Sequence, residues 1–179
     1  SSLITVADEH TVAIETALGG AMQNIVADDE DTGKRAIGLL QSARAGRATF
    51  LPITSVKGSR LDLRGVDGMY GFVGLACDLI RYDRQYDGVM TFLLGRVVVA
   101  EDLDAAVTIA NKHGYRFRIV TLDGQVVNAG GAMTGGYTVK SAGILGRQGE
   151  IDRLTRQCAE LEAQGQAIAA KRESAAAEL

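Results

Sequence analysis

Apolar and polar positions change period along this chain, and the changes mark out its elements. Across "EHTVAIETAL", Val12, Ala13, Ala17 and Leu18 recur near helical spacing, with Gly19-Gly20 as a stop and Asp8 as the expected N-cap. "MQNIVA" then reads as a short strand. "DDEDTGKRAIGLLQSA" reads as a helix with acids in its first turn and Arg44 near its end, as the helix dipole favours. "RATFLPI" reads as a strand ending at the single proline, Pro52. "GFVGLACDLI" opens a second cycle: a helix over "DRQYDGVMTFLL" stopped at Gly95, then a buried strand "RVVVA". A helix "DLDAAVTIANKH" follows, capped near Asp102 and closed by Gly114, then a strand "YRFRIVTL" and an Asp123-Gly124 turn.

The second cycle repeats the first. Leu3-Ile4 recur as Leu79-Ile80 and Leu18-Gly19 as Leu94-Gly95, both 76 residues on. Between these anchors His10 falls on Tyr86 and Ile14 on Met90. The expected fold is therefore mixed α/β with two pseudo-repeated lobes, lobe 1 about 1–65 and lobe 2 about 66–145. "GFVGLACD" precedes the second copy, whereas the first opens at "SSLI". The repeat thus predicts a chain that starts partway into its first motif, cut from a longer protein.

From about residue 146 to 179 the composition turns to Ala, Glu, Arg and Gln. Ile151, Leu154, Cys158, Leu161, Gly165, Ile168, Arg172, Ala175 and Leu179 alternate steps of three and four, a heptad seam weakened at Gly165 and Arg172. This predicts a coiled-coil strand whose partner lies outside the chain; a lone amphipathic helix packing on the domain is the alternative.

Composition adds limits. A chain of 179 residues with 46% apolar and 23% charged residues can bury a core, and its net charge of −3 excludes a wholly basic surface. No apolar run is long enough to span a membrane. Cys77 and Cys158 carry no metal or redox spacing and are expected to be reduced thiols.

Candidate chemistry is sparse. In "VVNAGGAMTGGYT", Gly130, Gly131, Gly135 and Gly136 crowd into seven residues, yet Gly136-Tyr137 stand where a P-loop needs Lys and Ser/Thr. No Rossmann fingerprint occurs. His10 and His113 have no second ligand in a useful arrangement, and Asp28, Asp29, Glu30 and Asp31 read as a helix start rather than an acid–base pair. Lys140, Arg147, Arg153 and Arg156 cluster where the globular part meets the heptad helix, as solubilising charge or as a phosphate-contacting patch.

The two lobes, "GRATFLPI", "DLIRYD", "VVNAGGAMTGG" and the heptad helix together resemble the hinge domain of SMC (structural maintenance of chromosomes) proteins, closest to the bacterial chromosome-condensation type. The resemblance covers essentially the whole chain, 1–145 as hinge and 146–179 as the start of the C-terminal arm. It implies a non-enzymatic homodimerisation module joining two coiled-coil arms, with Gly130, Gly131, Gly135 and Gly136 at the hinge–hinge interface. It implies DNA as a ligand, with Lys140, Arg147, Arg153 and Arg156 as candidate contacts. Ile151, Leu154, Cys158, Leu161 and Ile168 would face a missing N-terminal coil strand of the same chain. No cofactor is expected here: ATP and magnesium would sit at the head domain of the parent ATPase. Condensin-type accessory subunits would bind elsewhere on that parent, which would be cytoplasmic and nucleoid-associated. The competing expectation is a small-molecule-binding or enzymatic α/β domain with a packing helix.

Overall fold

The repeat is visible in the first pairing of strands. In the computed structural model, which describes residues 3–137, 151, 154–166 and 168, strand β1 (Ile4–Val6) pairs antiparallel with β5 (Ile80–Tyr82). Thr5 faces Arg81, Ile4 faces Tyr82 and Val6 faces Ile80. Each strand lies against its own repeat equivalent, so a pseudo-two-fold axis passes through the Thr5–Arg81 pair. A 3₁₀ turn and a helix follow each strand at the same offset: Asp8–His10 with α1 (Thr11–Leu18), and Arg84–Tyr86 with α3 (Asp87–Leu94).

Beyond these helices each half forms a parallel strand pair joined through a helix, the connection that parallel pairing requires. In the first half β2 (Ile25–Ala27) and β3 (Phe50–Pro52) flank α2 (Glu30–Ser42). In the second, β6 (Val97–Ala100) and β7 (Arg118–Thr121) flank α4 (Leu103–Lys112). Aspartates cap both helices: Asp29 accepts from the Thr32 N–H at 2.7 Å and Asp102 from the Ala105 N–H at 2.8 Å. The bond from Thr32 holds the Asp29 carboxyl below its ordinary pKa.

The halves differ in how far their sheets extend. The second half adds β4 (Phe72–Leu75), β8 (Val126–Val127) and β9 (Met133–Thr134), giving a five-stranded sheet in the order β4-β6-β7-β8-β9. Its centre is apolar throughout: all four residues of β6 are buried, with Ile119, Val120, Val127 and the inner face of α4 (Ala105, Ala106, Ile109, Ala110). In the first half the β2–β3 sheet has two strands among the described residues. Its helix α2 buries only Gly33, leaving Ile37 53% and Leu39 69% exposed.

The lobes expected at 1–65 and 66–145 are interwoven. Helix α1 packs on β7 and α3, burying Ala13, Ile14 and Ala17. Arg118, at the start of β7, donates to the Ala17 carbonyl at 3.0 Å and the Thr16 carbonyl at 3.1 Å, placing a cation at the negative end of α1. The irregular segment after β3 crosses α3 at backbone contact. A Cβ on Gly58 would lie 2.0 Å from the Phe92 nitrogen, and one on Gly88 would lie 2.5 Å from the Val56 carbonyl oxygen.

Several local expectations are corrected. Asp8 does not cap α1: it lies inside the 3₁₀ turn, and neither N-cap residue, Ala7 for the turn or His10 for α1, makes a side-chain cap bond. Arg44 lies beyond α2 in a left-handed conformation (φ +50°), after a helix ending at Ser42. "RATFLPI" forms a strand only over Phe50–Pro52. "YRFRIVTL" starts its strand at Arg118, because Tyr115 (φ +54°) still belongs to the turn closing α4.

The chain divides into two compact units, residues 1–140 and 141–179. In the second, 154–166 are helical, and Ile151, Leu154, Cys158, Leu161 and Ile168 are all exposed. Both cysteines are free thiols, Cys77 buried and Cys158 exposed.

Candidate self-association interface

The glycine-rich stretch is a hairpin at the edge of the five-stranded sheet. Val126 pairs with Thr134 and Val127 with Met133. The inner strand β8 is buried at both residues, whereas β9 is exposed at both. Between them the Asn128 N–H donates to the Ala132 carbonyl at 2.8 Å and the Gly131 N–H to the Asn128 carbonyl at 3.0 Å. The Gly130 N–H donates to the Tyr115 carbonyl at 2.9 Å, tying the turn to the end of α4.

The four glycines divide into two pairs with different local causes. Gly130 (φ +85°) and Gly131 (φ +93°) occupy backbone conformations that disfavour any side chain, so the hairpin turn accounts for both. Gly135 is ordinary in φ but lies against Gln125: a Cβ there would lie 2.1 Å from the Gln125 Oε1, so that side chain would have to move. Gly136 (φ +144°) donates its N–H to that same Oε1 at 2.8 Å and accepts from the Gln125 Nε2 at 3.1 Å. In the structure two serve the turn, and two serve the strand edge and its contact with Gln125.

Beside β9 lies an open cleft of about 370 Å³ reaching the end of α1, lined in part by Thr16, Arg118 and Asn128. Among the described residues its lining contains no carboxylate, histidine or thiol. The Arg118 guanidinium is engaged by α1, although its Nε is buried without a hydrogen-bond partner.

Lys140, Arg147 and Arg153 lie outside the described residues; Arg156 is exposed on the helix of the second unit. His10 sits between the 3₁₀ turn and α1, with its Nε2 3.5 Å from Glu9. His113 caps the end of α4, its Nε2 3.1 Å from the Gly65 carbonyl oxygen. Among the acids at the start of α2, Asp29 is the cap and Glu30 accepts from the Thr54 hydroxyl at 2.7 Å.

Two features escaped the sequence reading. Gln125 has no signature, since its role depends on the chain returning eleven residues later. The other was legible: residues 32–61 contain Lys34, Arg35, Arg44, Arg47, Lys57 and Arg60 and no Asp or Glu, in a chain of net charge −3. Arg60 is ion-paired with Asp78; Arg44 and Arg47 stand in a fully exposed loop.

Among the described residues β9 is an exposed edge of the five-stranded sheet. Comparison with known proteins gives the class of the chain. Residues 1–110 match the family model of the SMC proteins flexible hinge domain. The chromosome partition protein Smc of Bacillus subtilis is 41% identical over 164 residues, 89% of this chain and 14% of that protein. The crystal structure of an asymmetric dimer of the Geobacillus stearothermophilus SMC hinge domain superposes with a TM-score of 0.78 at 44% identity, covering 97% of this chain and 73% of that one. The Pyrococcus furiosus Smc hinge domain with an extended coiled coil gives 0.64 at 31% identity, covering 90% and 57%. The chain belongs to the SMC hinge family, and it spans about 14% of the length of the curated relatives it matches.

Proposed function

We propose that this chain is the homodimerisation hinge of a bacterial chromosome-partition SMC protein, joining two coiled-coil arms. The observation carrying this reading is the mismatch, among the described residues, between the five-stranded sheet and the two-stranded β2–β3 sheet. One ends in an exposed edge strand, β9, with Met133 54% exposed. The other stops at two strands under a helix that leaves Ile37 and Leu39 open. Strand addition from β9 of one copy to the β2–β3 sheet of the next satisfies both, and a two-fold arrangement makes the contact twice. The Geobacillus relative, crystallised as an asymmetric dimer, supports self-association. Sedimentation of the chain and of Met133→Pro, which removes a backbone donor from β9, tests it: the wild type should be dimeric and the variant monomeric.

The exposed seam of Ile151, Leu154, Cys158, Leu161 and Ile168 fits packing against the N-terminal coil strand of the same SMC chain. ATP and magnesium belong to the head of the whole protein, and accessory condensin-type subunits to other parts of it, in a cytoplasmic, nucleoid-associated assembly. The hinge itself contributes binding rather than catalysis.

DNA contact is the second part of this reading. The acid-free stretch 32–61 favours a phosphate-contacting face on the first half, in addition to Lys140, Arg147, Arg153 and Arg156 at the arm. Ile37 and Leu39 are two positions apart on α2 and so point to nearly opposite sides, which does not suit insertion into a lipid surface. Replacing Arg44 and Arg47 by Gln should weaken duplex binding and lower its salt slope by about 2. An unchanged slope would assign the contacts elsewhere.

A further inference from the structure

Gln125 sits where the β8–β9 ladder should end. Its own backbone is committed to the other side: its N–H donates to the Thr121 Oγ1 at 2.8 Å, and its carbonyl accepts from the Thr121 N–H at 2.9 Å. Residue 124, which would supply the next rung opposite Gly136, is turned away, its N–H bonded to the Thr121 carbonyl at 2.9 Å. The Gln125 side chain takes that place. A primary amide presents the same donor–acceptor pair as a peptide group, and here it both accepts from the Gly136 N–H and donates to the Gly136 carbonyl. Asp123 steadies the amide from behind, its Oδ2 3.4 Å from the Gln125 Nε2.

The added rung affects the outer edge. Antiparallel ladders alternate residues that bond inward with residues that face outward. Ala132, whose carbonyl bonds Asn128, and Gly136, which bonds the Gln125 amide, both face inward. The N–H and C=O of Met133 and Gly135 therefore face away from β8. With Gly136 fixed, Gly135 is held in strand register, and the edge offers two outward residues instead of one.

We propose that Gln125 is a positioning residue for self-association: its amide stands in for a missing backbone rung and extends the edge of β9 presented to a second copy. This rests on the reading of β9 as the dimer edge. The geometry also gives Gly135 a part in the same contact. A methyl there would displace the Gln125 Oε1, so Gly135→Ala opens the same latch that Gln125→Ala removes.

The test is a double-mutant cycle on dimer affinity by analytical ultracentrifugation, with hydrogen exchange at Gly136 read alongside. Gln125→Ala and Gln125→Met should each weaken the dimer about tenfold and speed exchange of the Gly136 amide, leaving the amides of β6 and β7 protected. Gln125→Glu retains an acceptor for the Gly136 N–H and should fall between. Gly135→Ala should lose a similar factor, and the double variant little more than either single. Affinity of Gln125→Ala within twofold of wild type, or losses that multiply in the double variant, overturns the proposal. Met133→Pro separates the layers. If it is monomeric while Gln125→Ala binds normally, only the latch fails. If it remains dimeric, or the wild type is monomeric, the edge reading fails and takes the latch with it.

Discussion

Thr5 lies directly across from Arg81, the residue that repeats it 76 positions later. The two halves thus meet through equivalent residues of equivalent strands, and each supplies packing that the other lacks: α1 lies against β7, and Arg118 closes the end of α1. The first half buries little apart from what α1 sets against the second.

It follows that residues 1–65 expressed alone should not fold. Circular dichroism should show a largely disordered fragment, and mixing it with residues 66–179 should restore helix and strand signal. A cooperative thermal transition in the isolated 1–65 segment would mean that the halves are independent domains.

Gly58 should be among the least replaceable residues outside the glycine-rich hairpin. Its Cβ position meets the backbone of α3, which has no rotamer to yield. Gly58→Ala should lower unfolding stability by about 3 kcal/mol in urea titration. A loss under 0.5 kcal/mol, the size of an ordinary surface change, would show that the crossing segment lifts off at little cost.

The turn glycines should behave differently from Gly135. Gly130→Ala strains a left-handed position in an otherwise open site, for about 1 kcal/mol. That loss belongs to the folded chain, so it should appear equally in the monomeric Met133→Pro background. If it vanishes there, Gly130 acts in the interface after all.

Tyr82 provides a pH signature. Burial, and then the hydrogen bond its hydroxyl donates to Asp87 at 3.0 Å, push the phenol from 10.0 up to about 12. Folding favours the protonated phenol, so its contribution is complete below about pH 10 and is lost as pH rises towards 12. Ultraviolet titration should show Tyr82 ionising late in the folded protein and near its ordinary value in urea. Tyr82→Phe should remove the late component and flatten the fall of stability across that range.

The thiols should separate by accessibility. Cys158 is exposed, whereas Cys77 is buried, and burial followed by the adjacent Asp78 carboxylate raises its pKa. An aromatic disulfide reagent at neutral pH should modify one thiol rapidly and the second only on unfolding. Two equally fast thiols would contradict the packing around the 3₁₀ turn at Ala76–Asp78.

How much of this was legible in the sequence follows from how local each cause is. Helices α1, α3 and α4 announce themselves through periodic apolar residues, and Asp102 caps where its position suggests. The repeat also reads directly, because Leu3-Ile4 and Leu79-Ile80 occupy the same site on either side of the axis. Strand β9 does not, since two exposed residues, Met133 and Thr134, carry no alternation to detect. The glycine pairs look alike in the sequence, yet Gly131 answers to its own φ and Gly135 to a side chain ten residues earlier. Charge was visible but diluted: Lys34, Arg35, Arg44 and Arg47 never form a run, so the eye goes to the arm instead.

The central claim is that this hinge associates with itself through the edge of β9. Sedimentation equilibrium of the wild type and of Met133→Pro, at matched concentrations and after confirming equal circular dichroism, tests it most directly. The account predicts a wild-type dimer near twice 18.9 kDa and a folded monomeric variant. A folded Met133→Pro dimer of wild-type affinity would contradict it.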